Sequence, residues 1–356
     1  MTDQLLDDLR VLDLSLWQPG HYATQLLADL GAEVIKVEPP GGDRERAVLD
    51  RHINFNGRKG SVVLNLKEDR DRARMMEMVA DADVVVEGYR PGVAARLGVS
   101  YEQLQKVNPA IVLCSISGFG QTGPLAAETG HEHNYQAYAG AMTVNPGQPP
   151  VSPGLLVGDQ GSGMTAAFGI LAAVLCARRT GIGEHVDVSM TDVLASWVAP
   201  LGAVDARRPG LQAENGQGGS PGMGTFCTAD GQWVVLGVYS EDHFWDALCR
   251  CLDLPEHLGL TMAERSSQAQ SLAANVADAI ASRNCQELLD QLRRAAVPIA
   301  PVLTRQQMLE HPHFRERGTL TIGPDGYLTL GHPIRYRVHP ALPPGLAPEL
   351  GDNPFA

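Results

Sequence analysis

The sequence predicts an α/β protein in which a large domain with a Rossmann-like parallel sheet is followed by a smaller α+β domain. Over the first 120 residues, short runs rich in Val, Ile and Leu alternate with helical stretches, which is typical of parallel strands covered by helices on both faces. The chain has 356 residues, 44% of them hydrophobic and 19% charged, enough for about two folded domains. A mainly disordered chain is therefore excluded.

The first domain is predicted as strands and helices in alternation. Strands are expected at RVLDLS, EVIKVE, SVVLNL, DVVVEG and AIVLCSIS, and helices at 22–30, 68–79 and 100–107. Gly31 tolerates the left-handed backbone that ends a helix. Ser100 and Gln103 form the capping-box pattern that opens one. These boundaries put several loops at the carboxyl ends of strands, where open α/β sheets bind ligands.

The later part of the chain is predicted from a long apolar helix at 158–179 and a change of composition at Glu214. The apolar run of 17 residues at 161–177 is marginal for crossing a bilayer, so we expect a buried helix. The resulting domains are a large α/β domain at 1–200, a glycine-rich linker at 201–224 and a small α+β domain at 225–320. At 321–356 we expect a hairpin and an extended tail that returns to the large domain.

Charge and cysteine usage restrict the partners. The net charge of −13 disfavours nucleic acid and anionic membranes as partners. The six cysteines include no C-x-x-C pair, so no metal site is expected, and their apolar surroundings suit a reducing compartment. The acidic N-terminal segment lacks the basic region of a signal peptide. We therefore expect a soluble cytoplasmic protein.

Common cofactor and hydrolase motifs are missing. The loop after the first strand is Leu16-Trp17-Gln18-Pro19-Gly20-His21, which lacks the G-x-G-x-x-G of dinucleotide-binding domains. The chain also has no Walker-type phosphate loop and no H-E-x-x-H, and its G-x-S-x-G string, Gly218-Gly219-Ser220-Pro221-Gly222, lies in the predicted glycine-rich linker. The missing motifs disfavour nicotinamide or flavin enzymes, NTPases and zinc proteases, and a G-x-S-x-G string outside a strand-to-helix turn does not indicate a serine hydrolase.

Six segments in a fixed order nevertheless form a recognisable combination. They are LLADLGAEVIKVEPPGGD, NGRKGSVVLNLK, ADVVVEGYRPGVAARLGV, NPAIVLCSISGFGQTGP, GHEHNY and GDQGSGMTAAFGILAAVLCARRTGIGEHVDVSM. Together they resemble the family III CoA-transferase (CaiB/BaiF) superfamily, which includes α-methylacyl-CoA racemases and formyl-CoA-type transferases. The resemblance implies an interlaced homodimer and an acyl-CoA thioester as substrate. It also implies that neither a metal ion nor an organic cofactor takes part.

The resemblance assigns CoA binding to residues of the large domain. The turn at Arg58-Lys59 lies between two glycines before a strand, and cations with backbone N–H groups suit a phosphate. Arg90 follows the end of a parallel strand, where ligands bind. Gly130 and Tyr135 of the GHEHNY string complete the predicted set. One departure is Pro39, because relatives often place an Arg there that contacts phosphate or adenine.

His131 and Glu132 are the most informative neighbours. His131 stands at a predicted helix start, where the helix dipole lowers an imidazole pKa and keeps the ring neutral and basic. In racemases of the family the matching string is G-H-D-I-N-Y, and its His is a proton-transfer base. The transferases are expected to place an aromatic residue there and to use the following Asp as nucleophile. This chain has Glu132 at that Asp position, one methylene longer.

Two further acids complete the predicted catalytic set. Asp159 opens the long apolar helix, where Asp also serves as an ordinary N-cap. In racemases of the family the matching Asp is the second base, although transferases carry it too. Glu241 lies in the first turn of a small-domain helix, and its racemase counterpart orients the catalytic His, a role for which Asp242 competes. The backbone N–H groups from Gly158 to Gln160 are expected to polarise the thioester carbonyl.

The leading hypothesis is an isomerase that epimerises C2 of 2-methyl-branched acyl-CoA thioesters. His131, oriented by Glu241, and Asp159 would serve as bases on opposite faces of an enolate. The alternative is a family III CoA-transferase that forms an acyl–Glu132 anhydride, with Gln18 aligning the intermediate, as in formyl-CoA-type transferases. A third hypothesis is a non-catalytic acyl-CoA-binding homologue, but the chain lacks none of His131, Asp159 and Glu241.

Overall fold

The structure is a computed structural model that describes residues 4–144, 147–199 and 220–355. The chain divides into two compact units, one of Met1–Ala199 with Pro312–Ala356 and the other of Pro200–His311. We call them the large unit and the small unit. Most of the predicted glycine-rich linker lies outside the described residues.

The large unit is built on a six-stranded parallel sheet in the order β3-β2-β1-β4-β5-β6. The strands are β1 Arg10–Asp13, β2 Glu33–Glu38, β3 Gly60–Val63, β4 Val84–Glu87, β5 Val112–Ser117 and β6 His185–Ser189. The strand order reverses between β1 and β4, so the loops after these two strands diverge and leave a crevice at the carboxyl edge of the sheet. The predicted α/β fold class is confirmed.

Helices cover the sheet of the large unit. They are α1 Gln18–Ala28, α2 Leu49–Asn56, α3 Asp69–Ala80, α4 Val93–Leu97, α5 Tyr101–Leu104, α6 Glu132–Tyr138, α7 Val157–Thr180 and α8 Met190–Val198, with a 3₁₀ helix at Arg44–Ala47. Helix α1 begins four residues before the predicted start at Tyr22, because Pro19 suits the first turn of a helix. Helix α2 was not predicted.

Helix α7 is the long apolar helix that the sequence predicts. Ala166, Ile170 and Val174 are buried in an apolar core with residues of β1, β4 and β5. By length and hydropathy, α7 meets the criteria for a membrane span, and half of its most apolar window is buried inside the protein. The burial of these three residues packs the middle of α7 against the sheet.

The small unit combines a three-stranded antiparallel sheet with helices. The strands are β7 Met223–Cys227, β8 Trp233–Gly237 and β9 Ile299–Pro301, in that order. The helices are α9 Asp242–Leu252, α10 Met262–Ser267, α11 Ala269–Ala281, α12 Cys285–Arg294 and α13 Arg305–Glu310, with a 3₁₀ helix at Pro255–His257. Trp245, Leu248, Val276 and Leu288 lie in its apolar core.

The C-terminal segment belongs to the large unit. Helix α14 Pro312–Glu316 leads into an antiparallel hairpin of β10 Leu320–Ile322 and β11 Leu328–Leu330. The proline-rich tail then runs along edge strand β3, where the Ser61 N–H donates to Asp352 O at 2.7 Å. A Cβ at Gly60 would lie 2.6 Å from Asn353 Oδ1, so a glycine is needed for this close approach.

Candidate functional site

A cavity of about 810 Å³ opens in the large unit at the carboxyl ends of β1, β4 and β5. This volume lies in the range of small-molecule sites. Its wall includes most of the residues predicted for the site, namely Gln18, Arg90, Gly130, His131, Glu132, Tyr135 and Asp159. The structure therefore brings together side chains that are up to 141 positions apart in the printed sequence.

The loop after β1 forms one side of this cavity. Gln18 is the first residue of α1 and is only 4% exposed. A Cβ at Gly20 would lie 2.2 Å from Ser15 Cβ, so the tight turn needs a glycine. The Trp17 indole meets the His131 ring edge to face, with centroids 6.2 Å apart. His131 is thus held beside Gln18, with its imidazole at the cavity surface.

Glu132 lines the cavity, but both of its carboxylate oxygens are hydrogen-bonded within the protein. Its Oε1 accepts hydrogen bonds from the Gly158 N–H at 2.8 Å and from Gln136 Nε2 at 2.5 Å. Its Oε2 accepts the Asp159 N–H at 2.8 Å, and the residue is 6% exposed. These contacts with the start of α7 favour a structural role for Glu132, and the expectation that it carries the acyl group stays a prediction.

The same contacts correct the predicted oxyanion site. The N–H groups of Gly158 and Asp159 donate to Glu132, and the Gln160 N–H donates to Leu156 O at 3.0 Å. None of these N–H groups is available to polarise a thioester carbonyl, so this prediction is wrong. A Cβ at Gly158 would lie 2.6 Å from Glu132 Oε2, which explains the glycine.

Asp159 lies in the first turn of α7, is half-buried and faces the cavity. Burial raises the pKa of Tyr135, the Asp159 charge raises it further, and Arg90 lowers it. These electrostatic effects place Asp159, Arg90 and Tyr135 in one neighbourhood. The Tyr135 hydroxyl donates to Gly130 O at 2.5 Å, which fixes the ring. Asp159 therefore combines a backbone N–H that is fixed by Glu132 with a side chain that lines the cavity.

Lys59 is not at the cavity. Its Nζ lies 3.1 Å from Asp13 Oδ2 and donates to Thr24 Oγ1 at 2.8 Å, and its side chain is fully buried. Nearby, Asp43 Oδ2 lies 2.6 Å from Lys36 Nζ and 2.8 Å from His21 Nε2. We call Asp13, His21, Lys36, Asp43 and Lys59 the ionic cluster. The prediction that Lys59 binds CoA is wrong, because its ammonium group neutralises Asp13 inside the large unit.

Arg58 also points away from the cavity. Its backbone has a positive φ of 67°, its N–H donates to Leu346 O at 2.8 Å, and its Nε donates to Pro343 O at 2.6 Å. The Arg58 side chain is therefore hydrogen-bonded to the C-terminal tail. These two bonds fix Arg58 beside the tail and outside the cavity lining, and its binding of CoA stays a prediction.

The sequence and the structure were compared with those of known proteins. The model of CoA-transferase family III matches residues 6–353. The chain belongs to this family. A relative from Acetobacter aceti, an acetyl-CoA:oxalate CoA-transferase, is 35% identical over 98% of this chain and 93% of its own. The human alpha-methylacyl-CoA racemase is 30% identical over 88% of this chain and 82% of its own. A CaiB/BaiF family structure from Brucella suis covers 98% of this chain and 97% of its own, with 27% identity and a TM-score of 0.85.

The family III cavity contains a cation that the sequence analysis missed. Arg44, at the start of the 3₁₀ helix after β2, lines the cavity together with Arg90. Arg44 lies five residues after Pro39 in the sequence. It therefore supplies a cation to the cavity although position 39 does not. The signal available in the sequence was its place after Gly41-Gly42-Asp43, directly beyond a strand end.

Glu241 belongs to the small unit. It is the N-cap residue of α9, and its backbone oxygen accepts the Trp245 N–H at 3.2 Å. Asp242, the rival acid, pairs with Arg265 at 2.6 Å. Asp242 is thus engaged in an ion pair within the small unit. The role of Glu241 in orienting His131 stays a prediction.

Proposed function

We propose that this family III enzyme transfers CoA between two carboxylic acids and uses the Asp159 carboxylate as nucleophile. The observation that carries the proposal is the different use of two neighbouring acids. Both acids line the cavity, but Glu132 is 6% exposed and has both oxygens bound by the start of α7, whereas the Asp159 side chain is half-buried and more accessible. The oxalate transferase relative at 35% identity supports the same reaction class.

The first half of the reaction follows from carboxylate chemistry. An Asp159 oxygen attacks the thioester carbon of the donor, the C–S bond breaks, and CoA leaves as a thiolate. The acyl group stays on Asp159 as a mixed anhydride, which keeps the acyl group activated. The thiolate then attacks the Asp159 carbonyl carbon, which releases the donor acid and leaves Asp159 bound to CoA as a thioester.

The second half reverses these steps with the acceptor. The acceptor carboxylate attacks the Asp159 thioester, CoA leaves again as thiolate, and a new mixed anhydride forms. The thiolate attacks the acceptor carbonyl carbon, so that the new acyl-CoA forms and the Asp159 carboxylate is regenerated. Every bond broken is matched by one formed, and the sequence of steps needs no redox partner.

The other cavity residues have roles suited to this chemistry. The buried Gln18 side chain carries an amide donor at the cavity wall, where it is suited to stabilise an oxyanion. Arg44 and Arg90 are placed to bind the phosphates of CoA or a second carboxylate. Glu132 is a positioning residue, because its two oxygens hold the backbone that carries Asp159.

Epimerisation is a second candidate, because His131 and Asp159 line the same cavity. In that reaction one residue removes the α-proton of a 2-methylacyl-CoA and the other returns a proton from the opposite face. The human racemase supports it with the lower identity of 30%.

One incubation distinguishes the two candidates. The enzyme is mixed with 2-methylacyl-CoA in D₂O, with and without oxalate or succinate as acceptor acid. Transfer of CoA only in the presence of an acceptor supports our proposal. Deuterium at the α-carbon without acceptor contradicts it and supports epimerisation.

We further propose that the enzyme acts as a homodimer in the cytoplasm and needs neither a metal ion nor an organic cofactor. An apolar face of α7 supports the dimer, since Met164, Phe168 and Leu175 are 53%, 75% and 71% exposed in the single chain. Light scattering after size exclusion tests this assembly, and a monomer at micromolar concentration contradicts it.

A further inference from the structure

Glu87 is a buried carboxyl group just behind the cavity wall. It is the last residue of β4 and is 2% exposed. Its Oε2 accepts the Tyr89 N–H at 2.5 Å. On β5 it lies opposite Ser115, which also hydrogen-bonds its side chain. The Ser115 hydroxyl lies 2.9 Å from His185 Nε2 on β6, so the chain of hydrogen bonds spans three strands.

The loop that Glu87 holds belongs to the cavity. Gly88, Tyr89, Arg90 and Pro91 all line it. The Val93 N–H donates to Arg90 O at 3.0 Å, and Gly92 has a φ of 80°, so the loop closes directly into α4. The Tyr89 N–H is thus the point at which the loop is tied to the sheet.

A carboxyl group at this place is not explained by ion pairing. Burial raises the pKa of Glu87 to about 7, and the Asp187 charge also raises it. Among the described residues, no cation forms an ion pair with Glu87. Burial of such a group costs free energy unless its hydrogen bonds are made. Its contacts with Tyr89 and Ser115 are the hydrogen bonds that meet this cost.

We propose that Glu87 is a positioning residue for ligand binding: it fixes the loop Gly88–Pro91 and so directs the Arg90 guanidinium at the phosphates of a CoA thioester. The inference rests on the proposed function only in taking a CoA thioester as the ligand. Without the acceptor at Glu87, the Tyr89 N–H is left unpaired and the loop is free to shift. A guanidinium displaced by about 1 Å loses its charge-assisted hydrogen bonds.

The test uses binding of free CoA to the full chain, measured by isothermal titration calorimetry. Glu87→Met fills the same space without an acceptor, and Glu87→Ala is tested beside it in case one variant does not fold. Both are expected to weaken CoA binding by roughly 10-fold, the effect of one charge-assisted contact. Glu87→Gln keeps an acceptor oxygen for Tyr89 and is expected to bind within about 2-fold of wild type.

A double-mutant cycle separates positioning from general damage. In an Arg90→Ala background, Glu87→Met should weaken binding by less than about 2-fold, because it acts through Arg90. Unchanged binding by Glu87→Met, or the full loss in the Arg90→Ala background, overturns the proposal. Failure of the wild-type protein to bind CoA contradicts the proposed function itself.

Discussion

The ionic cluster and the start of α7 bury similar acids near the same cavity, yet they use them differently. In the ionic cluster, Asp13 and Asp43 lie 3.1 Å and 2.6 Å from the ammonium groups of Lys59 and Lys36. At the start of α7, Glu132 is held by two backbone N–H groups. Opposite charges pair in the cluster, whereas backbone dipoles hold the carboxylate at the start of α7.

The difference indicates which charged residues can act on a bound ligand. The Lys59 ammonium group is buried and paired with Asp13 inside the large unit, so it does not contact a ligand in the cavity. The backbone dipoles at the start of α7 stabilise a carboxylate without cancelling its charge. Glu132 in turn fixes the backbone that carries Asp159, whose side chain lines the cavity.

The largest effect is expected at Asp159. Asp159→Asn should lower kcat for CoA transfer on the order of 10⁴-fold or more, because an amide cannot form the anhydride. Glu132→Gln keeps one acceptor for the α7 backbone and should lower kcat by only about 10- to 100-fold. Steady-state kinetics with an acyl-CoA donor and an acceptor acid measure both. Comparable losses of kcat in the two variants would contradict the different roles assigned to Asp159 and Glu132.

The second effect concerns stability. Lys59→Met leaves Asp13 buried without its ammonium partner and should lower the free energy of unfolding by about 3–5 kcal/mol. The double variant Asp13→Leu with Lys59→Met removes both charges and should recover part of that loss. Urea denaturation measures these values. If the Lys59→Met variant is as stable as wild type and has a raised KM for the CoA thioester, the assignment of Lys59 to CoA binding is supported instead.

The third effect compares two arginines. Arg44→Ala should raise the KM for the acyl-CoA by roughly 10-fold with kcat little changed, since it removes one charge-assisted contact from the cavity. Arg58→Ala is the matched control, because its side chain bonds the C-terminal tail. The reverse order of effects in KM measurements would show that the sequence-based assignment was right.

The smallest effect is a pH dependence. Paired cations hold the pKa of Asp13 and of Asp43 below the ordinary value despite burial, so their contribution to stability is lost only as the pH falls. Burial raises the pKa of Glu87 to about 7, so its contribution is lost as the pH rises from about 4.5 to 7. Glu87→Gln should remove on the order of 1 kcal/mol of this second decline in urea titrations. A slope unchanged by the variant would contradict it.

The sequence was sufficient for the fold and for much of the site. The strand order that opens the crevice between β1 and β4 was not predicted, but the Val-rich strands are nearly continuous, so the parallel sheet follows from pattern alone. The same holds for Arg90, because it directly follows a strand. Lys59 was misassigned, and the tail contacts of Arg58 were missed, because a basic turn looks the same whether its charges meet solvent, a ligand or buried Asp13. Their partners lie 46 and 285 positions away, which local pattern does not reveal.

Glu132 shows the limit most clearly. Its type and its place beside His131 suggested chemistry, while its actual partners are backbone groups 26 and 27 positions later. Which carboxylate is fixed and which one faces the cavity depends on the packing of α6 against α7. No short motif encodes that choice.

Trapping of the covalent intermediate tests the central claim most directly. The enzyme is incubated with a donor acyl-CoA and hydroxylamine, and its peptides are mapped by mass spectrometry for a carboxylate converted to a hydroxamate. We expect the modification at Asp159, dependent on the acyl-CoA and absent in Asp159→Asn. Modification at Glu132, or turnover with no modified carboxylate and with α-deuteration in D₂O, would contradict the account.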